Sequence, residues 1–189
     1  MKILEIQNAD FFILDDGTSV KTLKPLITFL HQHTENVCVL SLKEISWKLF
    51  KVLNQLINLN EICLVGLGQG GTIILDYMLE NTKKNISSQN IKWSRQWVNR
   101  DNFYFIKDEL DKFIYNEKKV IFIEDVVASG KTIQAALNAF KKINANVIGV
   151  VSAVINENSP ALNAEFTDFA LYGVNIHSLS YKSDYLDPY

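Results

Sequence analysis

The chain has 189 residues, 48% of them hydrophobic and 21% charged, with a formal net charge of -2. That length suits one domain with a sizeable core, and the near-neutral balance leaves no electrostatic footprint for nucleic acid or an anionic membrane surface. Cys38 and Cys63 are the only cysteines, and both lie in apolar runs, which fits reduced core thiols better than a disulfide framework.

In chain order, Lys2 to Ile6 and Phe11 to Leu14 are expected as short strands, with Asp15-Asp16-Gly17 as a turn. Ser19 to His33 carries Leu23, Leu26, Ile27 and Leu30 on one helical face, and Pro25 offers a later start for that helix. Val37 to Leu40 reads as a buried strand. Ser41-Leu42-Lys43-Glu44 is a capping box opening an amphipathic helix through Trp47, Phe50, Leu53 and Ile57. Ile62 to Val65 is expected as a strand, Gly66 to Gly71 as a loop and Thr72 to Asn81 as a helix. Thr82 to Asn102 is polar and shows no apolar strand.

Phe103 to Ile106 reads as a strand, Lys107 to Lys119 as a charged connector and Val120 to Ile123 as a strand. The next helix has Ile133, Ala136, Leu137, Phe140 and Ile143 at helical spacing, and Lys141 and Lys142 in its last turn, where cations suit the helix dipole. Val147 to Ile155 is a buried strand, Pro160 marks a turn, and Phe169 to Tyr172 and Asn175 to Tyr181 are late strands. No repeat, linker or boundary interrupts the chain, so residues 1–189 are expected as a single domain. Strands alternating with amphipathic helices predict an α/β, mainly parallel sheet flanked by helices on both faces, with ligands at the carboxyl ends of the strands. The N-terminal apolar run is too short for a secretory signal and no run is long enough to span a bilayer, so a cytoplasmic location is expected.

Two small-residue segments fall at that edge. Gly66-Leu67-Gly68-Gln69-Gly70-Gly71 matches the spacing of a dinucleotide fingerprint, but no second strand ending in an acid follows at the required distance. It is not a hydrolase nucleophile elbow either, because Gly68 stands where a serine is needed. What remains is a glycine segment whose amides can approach an anion, or a tight turn chosen for packing. The second segment, Val120 to Ile133, is an apolar strand, two acids, a small-residue loop and a helix. Gly130-Lys131-Thr132 is not a nucleotide-triphosphate loop, since Asp125 occupies the position of its first glycine.

Val120 to Ile133 resembles the phosphoribosyl-pyrophosphate signature of the type I phosphoribosyltransferases. The resemblance implies that Glu124 and Asp125 take the ribose hydroxyls, while Ala128, Ser129, Gly130, Lys131 and Thr132 hold the ribose phosphate. Leu64 to Gly71 is similar to the same family's pyrophosphate loop, which implies pyrophosphate contacts from Leu67, Gly68, Gln69 and Gly70. Gln69 replaces the usual basic residue. Ala128 replaces the aspartate of the 6-oxopurine branch, and Phe103 to Glu109 faintly resembles the strand before the mobile hood of the orotate branch. Trp93 to Arg100 is a candidate replacement for that hood, with Trp93, Arg95, Arg100 and Lys107 as possible hood or acceptor contacts; its other reading is a helix edge packing its tryptophans.

The implied function is transfer of ribose 5-phosphate from phosphoribosyl pyrophosphate to a nitrogen acceptor, a nucleobase and possibly orotate-like, with release of pyrophosphate. The alternative is a non-catalytic sensor of phosphoribosyl pyrophosphate or a nucleotide on the same fold. Magnesium is expected on the substrate, with no dedicated protein ligand set. The resemblance also implies a homodimer.

Overall fold

The computed structural model describes residues 11–15, 37–80, 82, 85–95, 103–105, 109–110, 112–113, 117–156, 159 and 168–175. Strand β1 (Phe11–Asp15) pairs in parallel with β2 (Val37–Ser41) in a two-stranded sheet of their own. Helix α1 (Leu42–Leu56) follows β2 directly, and Ser41 caps it: the side-chain oxygen accepts from the Glu44 N–H at 3.3 Å. The buried face of α1 is Leu42, Ile45, Ser46, Leu49 and Leu53. The expected face through Trp47 is therefore rotated. Trp47 is 40% exposed, with the Lys43 ammonium 5.0 Å from its ring centroid, 5.7 Å from that of Tyr77 and 3.0 Å from the Glu80 carboxylate. An indole covering a lysine in this way gains from cation–π attraction without entering the core.

The main sheet is built from β3 (Ile62–Leu67), β4 (Ser87–Ile91), β7 (Lys119–Val127), β8 (Val147–Ile155) and β9 (Phe169–Asn175), in the order β4-β3-β7-β8-β9 with every pairing parallel. Central strands buried on both faces need continuous apolar runs, and β3 is fully buried along its length. Helix α2 (Gly68–Leu79) shares one face with α1: Ile74, Leu75 and Met78 pack with Leu49, Leu53, Leu64, Ile121 and Ile123. Helix α3 (Lys131–Lys142) covers the other face through Ile133, Ala136, Leu137 and Phe140. There the Phe140 ring makes edge contacts with Phe113 at 4.8 Å and Phe122 at 4.9 Å between centroids. Cys63 is a buried free thiol, and burial pushes its pKa up.

Three expectations need correction. The polar stretch after Asn81 contains β4, which among the described strands lies at the edge of the sheet and pairs with β3, and then the short strand β5 (Trp93–Arg95). An edge strand has one partner, and polar side chains there are the usual defence against further pairing. Trp93 to Arg95 is thus strand rather than helix edge; it pairs antiparallel with β6 (Phe103–Phe105). The segment from Gly66 is not a loop, because β3 runs to Leu67 and α2 begins at Gly68. Finally, β7 does not stop before the acids but continues to Val127, held by the pairings Val126 with Val154 and Val127 with Ile155. The expected Lys2 to Ile6 strand, Ser19 to His33 helix and Pro160 turn lie outside the described residues, as does the last expected strand beyond Asn175. No helix among the described residues is long and apolar enough to cross a membrane.

Candidate active site

Strands β3 and β7 are neighbours, yet the chain leaves them in opposite directions. From β3 it passes through α2 on one face to β4; from β7 it passes through α3 on the other face to β8. This is a topological switch point, where a crevice opens beyond the carboxyl ends of the two strands. Both small-residue segments meet at it.

Each segment ends in a helix whose first turn has no side-chain cap. Helix α2 starts after Leu67 and α3 after Gly130, and neither N-cap residue offers a side-chain hydrogen bond. In contrast to α1, whose orphan amide is satisfied by Ser41, these two helices present their first-turn N–H groups at the crevice. Such amides, with the positive end of the dipole, bind anions. Gly130 has φ 75° and ψ 3°, a left-handed turn that aims the chain from strand to helix, and its carbonyl accepts the first helical bond from the Gln134 N–H at 2.9 Å. Ser129 and Lys131 are exposed, Thr132 and Ala128 are half-buried, and Gly130 is buried. On the other segment Gly68 also has a positive φ of 62°, and Gln69 is exposed.

The acids lie inside β7 and face different surroundings. Glu124 is buried, only 6% exposed; its Oε1 accepts weakly from the Asp125 N–H at 3.3 Å, while Oε2 is buried without a hydrogen-bond partner. Burial first, and the neighbouring Asp125 charge second, push the Glu124 carboxyl well above the ordinary carboxylate range. Asp125 is half-buried, and its Oδ1 accepts from the Val126 N–H at 2.8 Å. Its carboxyl group lies against Gly70 in the first turn of α2, in the space a Cβ there would fill. Asp125 and the glycine segment are therefore in contact.

One neighbour, Ser152, escaped sequence reading. Ser152 Oγ lies 3.0 Å from the Asp125 carbonyl and 2.7 Å from the Val154 carbonyl, so β8 braces the peptide carrying the second acid. Its signal was a lone hydroxyl in an otherwise apolar strand. The indole of Trp93 sits over Gly68, its Cδ1 3.0 Å from the position of an added Cβ. Arg95 lies in β5, paired with Phe103, whereas Arg100 and Lys107 fall outside the described residues. Among the described residues no group of three or more His, Cys, Asp or Glu side chains is arranged to hold a metal. Two adjacent carboxylates, one with an orphaned oxygen, do suit a magnesium ion that takes its other ligands from a substrate and water.

A family model for the phosphoribosyl transferase domain matches residues 39–177. The chain belongs to the type I phosphoribosyltransferase family. The match places this phosphoribosyltransferase among enzymes of phosphoribosyl transfer, and it spans both segments of the crevice and the whole five-stranded sheet. No curated protein matches the chain in sequence.

Solved structures agree on the fold. A purine phosphoribosyltransferase from Pyrococcus horikoshii is similar with a TM-score of 0.51 at 13% identity, over 75% of this chain and 90% of its own. A hypoxanthine phosphoribosyltransferase from Staphylococcus aureus gives 0.52 at 14% identity, over 77% and 82%. An orotate phosphoribosyltransferase from Mycobacterium tuberculosis in complex with 5-phospho-alpha-D-ribosyl 1-diphosphate gives 0.52 at 14% identity, over 74% and 75%. Neighbours from the purine, hypoxanthine and orotate enzymes fit comparably, so the fold by itself does not select an acceptor.

Proposed function

We propose that this phosphoribosyltransferase binds phosphoribosyl pyrophosphate across the β3–β7 crevice and transfers its ribose 5-phosphate to a nitrogen atom of a nucleobase or orotate-like acceptor, releasing pyrophosphate. The observation that carries this reading is the contact of the Asp125 carboxyl group with Gly70. The Asp125 carboxyl lies beside the first turn of α2, and the first turn of α3 follows the end of its own strand β7. This supports a reading in which the acid meets sugar hydroxyls between two amide clusters. A ribose held between them has its 5-phosphate toward Ala128 to Thr132 and its diphosphate toward Leu67 to Gly70.

In this arrangement Glu124 and Asp125 accept hydrogen bonds from the ribose hydroxyls. The negative charge of Asp125 also favours the positive character that develops on the sugar as the bond to the diphosphate breaks. Glu124 and Asp125 are the protein groups beside magnesium, which would be held mainly by the diphosphate and hydroxyls of the substrate with waters, and would neutralise the charge of the diphosphate. Arg95, Arg100 and Lys107 complete the proposal as hood or acceptor contacts, with a homodimer as the assembly and the cytoplasm as the location.

The test is incubation with phosphoribosyl pyrophosphate, magnesium and a panel of nucleobases and orotate, with pyrophosphate release measured. Release with one acceptor supports the enzyme and names its substrate. Binding without release across the panel supports the sensor, which the neutral Gln69 favours. No binding of phosphoribosyl pyrophosphate at all overturns both.

A further inference from the structure

Trp93 lies outside both signature segments, and its position is fixed from three sides. Lys92 alone separates β4 from β5. Its backbone N–H donates to the Glu109 carboxylate at 2.9 Å, and its ammonium lies 4.0 Å from the same group. The Trp93 side chain packs against the core on the α3 face of the sheet. The edge of the indole that carries Nε1 lies against Gly68, closest through Nε1 itself and then through Cδ1 and Cε2.

An apolar body is thus anchored in the core, and a polar edge is delivered to the start of α2. The indole N–H can only donate. It stands beside first-turn amides that have no side-chain cap, in a turn (Gly68, Gln69, Gly70, Gly71) with no charged residue. On the phosphoribosyl pyrophosphate reading above, we infer that Trp93 is a diphosphate-binding residue: its Nε1–H donates to a diphosphate oxygen alongside the α2 amides. It supplies as a directional neutral donor part of what Gln69 does not supply as charge. Gly68 belongs to the same device, because any side chain there would displace the indole.

The test is calorimetric titration of the full chain with magnesium pyrophosphate and, separately, with ribose 5-phosphate, for the natural protein, Trp93→Phe and Trp93→Ala. Phenylalanine keeps an apolar wall and removes the donor. Hydrogen bonds to charged acceptors are strong enough that the Trp93→Phe dissociation constant for pyrophosphate should rise about tenfold or more. Ribose 5-phosphate, which reaches only the Ala128 to Thr132 side and the acids, should bind within about twofold of the natural protein, which also reports that the variant is folded. Trp93→Ala should lose at least as much pyrophosphate affinity. Unchanged pyrophosphate affinity in Trp93→Phe, or equal loss of both ligands, overturns the assignment and makes Trp93 a packing residue. If the natural protein binds neither ligand, the phosphoribosyl pyrophosphate reading itself fails, and the assignment with it.

Discussion

The carboxyl group of Asp125 occupies the volume that a side chain on Gly70 would need. A Cβ built on Gly70 would lie 2.6 Å from Oδ1 and closer still to the other carboxyl atoms. An acid at a helix N-terminus is itself stabilised, typically by about 0.3–1 kcal/mol. Here that preference brings a strand of one segment and a helix of the other into direct contact.

Gly70→Ala separates binding from stability. Alanine in a helix gains about 1 kcal/mol over glycine, while forcing a methyl into occupied volume costs about 1–3 kcal/mol. The near-cancellation predicts a melting temperature lowered by no more than about 8 °C. Because relief requires Asp125 to rotate away, phosphoribosyl pyrophosphate binding should fall at least about tenfold, close to the loss for Asp125→Asn. Melting curves and calorimetry on both variants check this.

Glu124→Gln should change stability with pH in a defined direction. The folded carboxyl titrates well above its unfolded value, chiefly through burial. The folded state therefore holds a proton that the unfolded state has lost once pH exceeds about 4.3. Stability from this group is fully present below that pH and is lost as pH rises through the folded pKa. Glutamine abolishes the loss, so the ligand-free variant should melt higher near neutral pH, by about 2–4 °C for each kcal/mol recovered. The advantage should vanish near pH 4, and phosphoribosyl pyrophosphate binding should still weaken. Melting curves across pH measure the first effect.

Gly130→Ala places a Cβ in a left-handed turn, at a cost of about 1–2 kcal/mol. The melting temperature should drop by about 2–8 °C. Gly130→Asn should be milder, because asparagine tolerates this region. A ranking with alanine milder than asparagine would contradict the conformational explanation.

Gln69→Lys should tighten magnesium-free pyrophosphate. The exposed site keeps the gain small, about two- to fivefold at low salt, and it should fade as salt is added. Some stability should be lost, since a cation in a helix's first turn opposes the dipole by about 0.3–1 kcal/mol. Salt-dependent titrations alongside melting curves test both parts.

Legibility followed burial. Val147 to Ile155 read correctly end to end, because a strand covered on both faces must be apolar throughout. The extension of β7 to Val127 was hidden because Glu124 and Asp125 break the apolar run, although pairing with β8 continues past them. β4 was hidden because an edge strand needs no apolar pattern. The start of α2 was hidden because glycines disfavour helix in isolation. In the folded chain Gly71 lets α2 approach the Ile123 carbonyl more closely than any side chain permits, and packing overrides propensity.

The sequence by itself determined the local chemistry: two acids, two glycine segments, and helices starting beside them, because these depend on residues close in the chain. Tertiary structure alone decided that β3 and β7 are neighbours, that Asp125 reaches Gly70, that Ser152 braces the second acid and that Trp93 covers Gly68. Those relations join residues far apart in sequence, and they come from strand order and close packing, which local pattern does not encode.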